Sequence, residues 1–552
     1  MITSSAENPH FILDEDCRAM RYCFMKKLSM RHDILKISFE LKSDKFEYVR
    51  TGLFLSTALA EDAVVHPFTT VREKKSATVA EISATLDLRQ ISFEGSKWNM
   101  CVVLSNIKTG ELKSVPIFLN GKQRIFLKFI YNGSFKSADG NIFYPDYTGY
   151  QTLIFTYHKC QSYDGMSVIF KEMLALFIYK VSKSYWKKQH VCLVFEKFSA
   201  AAQDNGYYFF KHCMDENEET YLNKKIYYII DKNSPDYTKV SFYGKHVLNF
   251  MSVRHMYHLL AADLLVGSDA KYHAYPLKCR HSFFSRYLNK KKSVFLQHGV
   301  TAFKQVDAFY GKGKRSGCDL FIVTNPLEEK IVTDNFGYST AEVANTGFAR
   351  WDVLKDKSHN KRQILVMPTW RTWLDSVSDK AFEESSYFKN YMELLNSTEL
   401  EEILEKYDLQ LYFYLHAKFQ NYSDNFSSIS DRIHLISFGE YAVNEMLMES
   451  RMLITDYSSV CWDMLYQGKP TLFYQFDIDK YEEAHGSYMD MRHELFGDRA
   501  ENIKQLLPLL EAAVQDNFIL KPEYQKQKEQ YFPDTDRRHC RLICEAIKES
   551  RL

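Results

Sequence analysis

The chain is predicted to be an α/β protein in which two successive doubly wound units, each a parallel sheet wrapped by helices, follow an N-terminal antiparallel β-sandwich. Three observations predict it. From about residue 191 onward, short apolar runs alternate with helical stretches, the pattern of strands buried on both faces of a parallel sheet. Before about residue 157 the runs alternate apolar with polar residues and are broken by turn signals, as half-buried antiparallel strands are. The length, 552 residues, exceeds what one hydrophobic core usually serves.

Composition narrows the class. With 45% hydrophobic and 26% charged residues the chain is ordinary globular protein, and a net charge of +1 argues against a dedicated nucleic-acid binder. The 11 cysteines are scattered without a C-x-x-C pair. Their closest spacing, Cys540 with Cys544, suits two faces of one helix turn better than zinc, and the odd count fits a reducing compartment. The opening residues place acids before any apolar run, unlike a signal peptide. No stretch reaches the roughly 18 uncharged apolar residues of a membrane span. A cytoplasmic protein, soluble or peripheral on the inner face of the plasma membrane, is therefore expected.

Taken in order, the runs 34–41, 77–88, 98–105 and 123–131 read as strands, separated at 106–110 and at Asn120-Gly121 by turn residues. They carry no catalytic constellation. They suit either a structural or oligomerisation module or a surface for an acceptor polymer or partner. Residues 166–190 read as a helix with Ile169, Phe170, Met173, Leu174, Phe177, Ile178 and Val181 on one side, and with Lys180, Lys183, Lys187 and Lys188 near Tyr185 and Trp186 at its end. Such a helix can lie on an anionic membrane, or it can be a linker packed on the next domain. The first parallel series has strands at 191–195, 226–231, 264–268, 293–297 and 320–324. The second has strands at 364–367, 411–415, 433–436, 452–455 and 471–475.

The densest chemistry lies between residues 453 and 477. A buried strand at 452–455 leads into Asp456, Tyr457, Ser458 and Ser459, then into the apolar-periodic run Val460, Trp462, Met464, Leu465, which Gly468 stops before Pro470 opens another strand. Serines at such a helix start either cap it or add hydroxyl donors to its backbone N–H groups to hold a phosphate. His298 follows the strand at 293–297 and precedes Gly299, so it should stand at the carboxyl end of the first sheet, where a cleft opens.

Two of these blocks resemble the CDP-glycerol glycerophosphotransferase family, which builds poly(glycerol phosphate) and related teichoic-acid-like or capsular polymers. One is Ile454-Thr455-Asp456-Tyr457-Ser458-Ser459 with Asp463, Gly468-Lys469-Pro470 and Tyr474 to Asp477. The other is Val294-Phe295-Leu296-Gln297-His298-Gly299 with Lys304. Further matches are Pro368-Thr369-Trp370-Arg371, similar to the family's P-x-W-R loop, and Leu415-His416-Ala417-Lys418, where Ala417 replaces the family's usual proline. Asn345-Thr346-Gly347 with Arg350 and Asp352, Gln203-Asp204-Asn205, and the closing stretch from Asp534 resemble family segments more loosely. The resemblance covers residues 190–545 and implies a GT-B type pair of Rossmann-like domains.

It also implies roles. His298 would be the general base on an acceptor hydroxyl. Arg371 would clamp the donor pyrophosphate with its planar fork, together with His416, Ser458 and Ser459, Asp456 would position that loop or meet a donor hydroxyl, and Lys304, Lys418, Ser268 and Asp269 are further candidates. The expected reaction moves glycerol phosphate from CDP-glycerol to a cell-surface polymer or its lipid-linked primer, releasing CMP. CDP-ribitol is the alternative donor, and a nucleotide-sugar transferase or a non-catalytic scaffold are the competing classes. No metal is required by this scheme, although Asp477 with Asp479 has a spacing that can bind Mg²⁺. The expected domains are 1–158 (β-sandwich), 159–190 (linker helix), 191–355 (acceptor side) and 356–552 (donor side, with the terminal helix).

Overall fold

The computed structural model describes residues 23–42, 48–56, 65–68, 70–75, 79–91, 93, 97–106, 112–148, 150–276, 282–375, 377–437, 439–535 and 538–552. The chain divides into two compact units, Met1–Leu174 with Leu277–Phe284, and Ala175–Pro276 with Ser285–Leu552.

The first unit holds two antiparallel sheets. One runs Cys23–Arg31, Ile34–Lys42, Val79–Asp87, Thr70–Lys75 from edge to edge. The other runs Val65–Pro67, Tyr48–Ser56, Lys97–Asn106, Leu153–Lys159, Asn141–Tyr147, Phe135–Lys136, and Leu112–Pro116 also pairs with Lys97–Asn106. Alternate residues of both, among them Leu35, Ile37 and Phe39 from one and Trp98, Met100, Phe143 and Phe155 from the other, share one hydrophobic core. The run expected as a strand at 123–131 is instead the helix Gly121–Phe129. Asn120 accepts the N–H of Gln123 at 2.9 Å and the Gln123 side chain accepts the N–H of Asn120 at 2.9 Å, a capping box that overrides the turn reading of Asn120-Gly121.

The helix Ser167–Val181 turns its apolar stripe outward. Phe170, Met173, Leu174, Phe177 and Val181 are each at least half exposed, while Val168, Glu172 and Ala175 on the opposite side are buried. The buried Glu172 carboxylate is satisfied by the Ser282 hydroxyl and by the N–H of Phe283 at 2.9 Å. This inverted pattern differs from a linker helix packed through its apolar side.

The second unit contains both parallel sheets. The first sheet is ordered Val247–Asn249, Lys225–Ile230, Val191–Phe195, Leu264–Gly267, Lys292–Phe295, Leu320–Val323, Val343–Asn345, and the second Ile433–Ile436, Gln410–Tyr414, Gln363–Val366, Met452–Thr455, Thr471–Tyr474, Asp498–Ala500. Numbered along the chain, these are 3-2-1-4-5-6-7 and 3-2-1-4-5-6, with every pair parallel. Each order reverses between its first and fourth strands, and that switch point is where a crevice opens outside the strands' carboxyl ends. The three edge strands Val247–Asn249, Val343–Asn345 and Asp498–Ala500 were not foreseen, being only 3 residues each.

The terminal helix His539–Glu549 corrects the expected domain division. Its Cys540, Ile543, Cys544 and Ile547 are buried in the core of the first parallel sheet with Cys192, Val194, Phe209 and Phe210, so the chain ends by crossing back to the half where the unit began. Cys540 and Cys544 therefore share a face of the helix, as residues four apart do, and do not point to two.

Candidate active site

The sequence-predicted residues gather at the carboxyl ends of the two parallel sheets. Ser268 and Asp269 follow the fourth strand of the first sheet, and His298 follows its fifth. Trp370 and Arg371 follow the first strand of the second sheet, His416 its second, and Asp456 to Ser459 its fourth.

His298 is presented by a loop built to hold it. Gln297 adopts a left-handed conformation with φ 60°, costly for a residue bearing a Cβ, and is fixed on every side. Its amide donates to Ile322 O at 2.6 Å and to Glu328 Oε1 at 3.0 Å, and its own carbonyl accepts from Asn205 Nδ2 at 2.8 Å. The Gln203-Asp204-Asn205 loop thus braces the histidine loop from below. The His298 ring is exposed, with Nδ1 3.4 Å from Ser268 O. A proton on Nδ1 directed at that carbonyl leaves Nε2 as a free acceptor, the state a general base needs. Ser268 contributes through its backbone oxygen and is itself buried. Asp269 is also buried, accepting from Ala270 N at 2.7 Å and the Tyr310 hydroxyl at 3.3 Å, with His273 Nε2 at 3.4 Å.

The two motif loops meet. A Cβ placed on Gly299 would fall 2.9 Å from Ser459 Cβ and closer still to its hydroxyl, so only glycine permits this approach. Ser459 stands at the start of the helix Val460–Tyr466, yet its hydroxyl makes no capping bond. The Ser459 hydroxyl is therefore not consumed by capping, and Ser458 and Ser459 are both partly exposed.

Basic side chains gather around Trp370, and one of them, Lys418, is paired with Asp375 at 2.9 Å. Lys304 Nζ lies 5.3 Å and Lys418 Nζ 4.0 Å above the Trp370 ring, and the His416 ring lies 6.2 Å from the same indole. Burial, reinforced by Lys197, Lys418 and Lys304, pushes the His416 imidazolium down to about 4. Burial and Lys418 also lower Lys304. Burial, Lys304 and Arg371 push His485 down to about 4. Burial is the largest cause in each case, and neighbouring positive charge adds to it. His416 Nδ1 accepts the N–H of Lys418 at 3.1 Å, which leaves Nε2–H of the neutral ring as a donor.

Three expectations are corrected. Arg371 is not an open clamp: it is fully buried, its Nε and Nη2 pair with the two oxygens of Asp477 at 2.8 and 2.9 Å, Nη2 also reaches Asp456 at 2.9 Å, and Nη1 donates to Thr369 O at 2.6 Å. Asp456, fully buried, is likewise committed to the protein, accepting from Thr369 N at 2.8 Å, Tyr457 N at 2.6 Å and the Tyr391 hydroxyl at 3.2 Å. It positions the serine loop and reaches no open surface. The Asp477/Asp479 pair does not converge on one cation, because Asp477 faces inward to Arg371 while Asp479 is exposed and pairs with Arg492 at 2.6 Å.

Other matched residues join the two sheets' halves. Arg350 spans them, donating to Asp463 at 2.9 and 3.0 Å and to Asp204 at 3.1 Å, and Asp352 caps the terminal helix through the N–H groups of His539 and Cys540 at 2.6 and 3.0 Å. Sequence reasoning missed Lys197, His273 and His485. Lys197 was findable, since it follows the first strand at the switch point. His485 sits at a helix end with no flanking signal, 5.9 Å from the Trp373 ring.

Comparison with known proteins gives the following. Residues 178–549 match the family model described as CDP-Glycerol:Poly(glycerophosphate) glycerophosphotransferase. The chain is 28% identical over 394 residues to the minor teichoic acid biosynthesis protein GgaB of Bacillus subtilis, covering 69% of this chain and 42% of that one. It is 27% identical over 215 residues to the teichoic acid glycerol-phosphate transferase of Staphylococcus aureus, covering 35% of this chain and 50% of that one. It is 26% identical over 287 residues to the teichoic acid poly(ribitol-phosphate) polymerase of Bacillus spizizenii, covering 46% and 42%. The chain thus spans half or less of the length of these relatives.

Proposed function

The chain belongs to the CDP-glycerol:poly(glycerophosphate) glycerophosphotransferase family, and we propose that it transfers glycerol phosphate from CDP-glycerol to a hydroxyl of a cell-surface polymer or its lipid-linked primer, releasing CMP. The observation that carries this reading is the close approach of Gly299, next to His298, to Ser459, with Lys304 and Lys418 over the Trp370 ring beside His416. In the proposed GT-B type cleft, His298 Nε2 takes the acceptor proton and the alkoxide attacks the glycerol-bearing phosphorus. The bond from that phosphorus to the bridging oxygen breaks, and CMP carries the electron pair away. His416 Nε2–H, Lys304, Lys418, Lys197 and the hydroxyls of Ser458 and Ser459 offset the charge that develops. Ser268 supports the base through its backbone oxygen, 3.4 Å from His298 Nδ1. The first unit's two sheets would serve as the β-sandwich accessory domain.

The test is CMP release by the purified chain with CDP-glycerol, CDP-ribitol and a UDP-sugar, each supplied with a short glycerol-phosphate acceptor. Turnover with CDP-glycerol supports the reading. Preference for CDP-ribitol, the donor chemistry suggested by the poly(ribitol-phosphate) relative, would move the substrate and keep the reaction. Turnover with the UDP-sugar alone would overturn it.

The pH dependence of donor binding follows from His416. A bound phosphate raises its pKa above the free value of about 4, so binding takes up a proton. The added affinity is fully present below the free value and lost above the complexed one. CDP should therefore bind more tightly as pH falls from about 7 toward 5, and His416→Asn should flatten that slope. Titration calorimetry in two buffers of different ionisation enthalpy reads the proton directly.

The outward stripe of Ser167–Val181, with Lys180, Lys183, Lys187 and Lys188 exposed beside it, supports peripheral attachment to an anionic membrane surface, where a lipid-linked acceptor would lie. No helix among the described residues is long and apolar enough to cross a membrane. Phe177→Glu with Leu174→Glu is expected to abolish co-sedimentation with vesicles containing anionic lipid while leaving CDP affinity unchanged. Undiminished sedimentation would remove the helix from that role.

A further inference from the structure

The outer face of the first antiparallel sheet carries a groove of about 600 Å³ that the active-site chemistry does not use. Its lining follows from register. Lys27 pairs with Ser38, Ser38 with Ser83 and Ser83 with Arg72, one rung across all four strands. Ser29 pairs with Lys36 and Lys36 with Thr85, the next rung on the same face. The intervening Leu28, Ile37, Ala84 and Val71 face the core. Hydroxyls and cations therefore alternate over a surface whose rungs lie roughly 7 Å apart along the strands, with Lys27 and Arg72 roughly 14 Å apart across them.

On the neighbouring rung Glu40 pairs with Lys26 at 2.5 Å, and at the sheet's end Asp87 pairs with Arg89 at 2.6 Å. Among the described residues, neither Lys27, Lys36 nor Arg72 is paired with a carboxylate, although all three are exposed. A groove with three cations unpaired among the described residues, set among small hydroxyls, fits a polyanion. Nucleic acid is disfavoured because no aromatic ring lines the groove for bases to stack on. A bilayer is disfavoured because the groove exposes no large apolar side chain to insert.

We propose that this groove binds a phosphodiester-linked polyol chain, with Lys27, Lys36 and Arg72 on successive phosphates and Ser29, Ser38 and Ser83 on the polyol hydroxyls. The first unit would then hold the product polymer. The identity of that polymer rests on the reading given under the proposed function, while the groove's charge does not.

The test is the full-length triple variant Lys27→Gln, Lys36→Gln, Arg72→Gln, all on exposed positions. Binding of poly(glycerol phosphate) of defined length is measured against salt, and CMP release is measured with long and with single-unit acceptors. Three lost phosphate contacts should reduce the slope of log affinity against log salt by about 2, and affinity for the long polymer by roughly tenfold or more at low salt. Turnover on the single-unit acceptor should be unchanged. Polymer affinity and slope equal to those of the unmutated chain would overturn the proposal. So would equal or tighter binding of single-stranded RNA or anionic vesicles lost in the same variant, which would assign the groove to another polyanion. If no acceptor supports CMP release, the proposed function fails, and the direct binding titration still decides the groove.

Discussion

His298→Ala is expected to lower CMP release by roughly 10²–10⁴, the usual range for removing a general base, while CDP-glycerol affinity stays within about twofold. The asymmetry follows from geometry. The imidazole stands in the first half, its Nδ1 directed at Ser268 O, while the groups proposed to bear on phosphate, Lys304, Lys418 and the neutral His416 ring, gather around Trp370 in the second. The backbone that brings Gly299 against Ser459 is set by Gln297 and Asn205, neither of which the substitution touches. The loop should therefore keep its shape while its base disappears. Calorimetry with CDP-glycerol, paired with CMP release from the same preparation, separates the outcomes. Collapse of donor affinity in parallel with rate would make His298 a donor ligand, and near-normal turnover would leave the acceptor proton to another group. His273, whose Nε2 lies 3.4 Å from Asp269, is an alternative imidazole, its charge disfavoured by burial although Asp269 favours it.

Both parallel sheets were legible because their strands are continuous apolar runs bounded by turn residues, and because each ends on a residue type that the chemistry needs. His298, His416, Ser458 and Ser459 could be placed at strand ends from that pattern alone. What sequence could not resolve was which polar groups at those ends face the cleft and which face inward. Arg371 and Asp456 each lie within a few residues of a strand end, as His416 and Ser459 do. Their difference is made by Asp477, 106 residues away along the chain from Arg371, and no local pattern carries that pairing. The same holds for the terminal helix, whose apolar face at Cys540, Ile543, Cys544 and Ile547 was readable while the half that receives it was not. The helix Gly121–Phe129 is a different failure: the capping box Asn120/Gln123 was present in the sequence, but a turn reading was preferred for Asn-Gly.

Arg371→Ala is expected to act on folding before it acts on donor binding, at a cost of roughly 3–5 kcal/mol. Its guanidinium is fully buried and answers two carboxylates, Asp456 and Asp477, that have no access to water sufficient to replace it. It also lies 4.9 Å from the Tyr457 ring and 5.2 Å from that of Tyr387, so the aromatic shell loses its filling together with its charge. Arg371→Lys keeps the charge but cannot reproduce the fork that meets both oxygens of Asp477, and should fall between the two. Thermal unfolding followed by calorimetry is the direct reading: a drop of several degrees or more in Tm for Ala and a smaller one for Lys supports a structural keystone. Unaltered Tm with weakened CDP binding would restore the pyrophosphate clamp that the sequence motif suggests. The expected coupling between the two runs through Asp456, whose Oδ1 accepts the N–H groups of Thr369 and Tyr457 and so fixes the turn that carries Ser458 and Ser459. Any loss of donor affinity in a folded Arg371→Lys protein should therefore be matched by Asp456→Asn, which weakens the same turn and leaves Arg371 in place. A match would mean that the arginine reaches the donor only through the serine loop it supports.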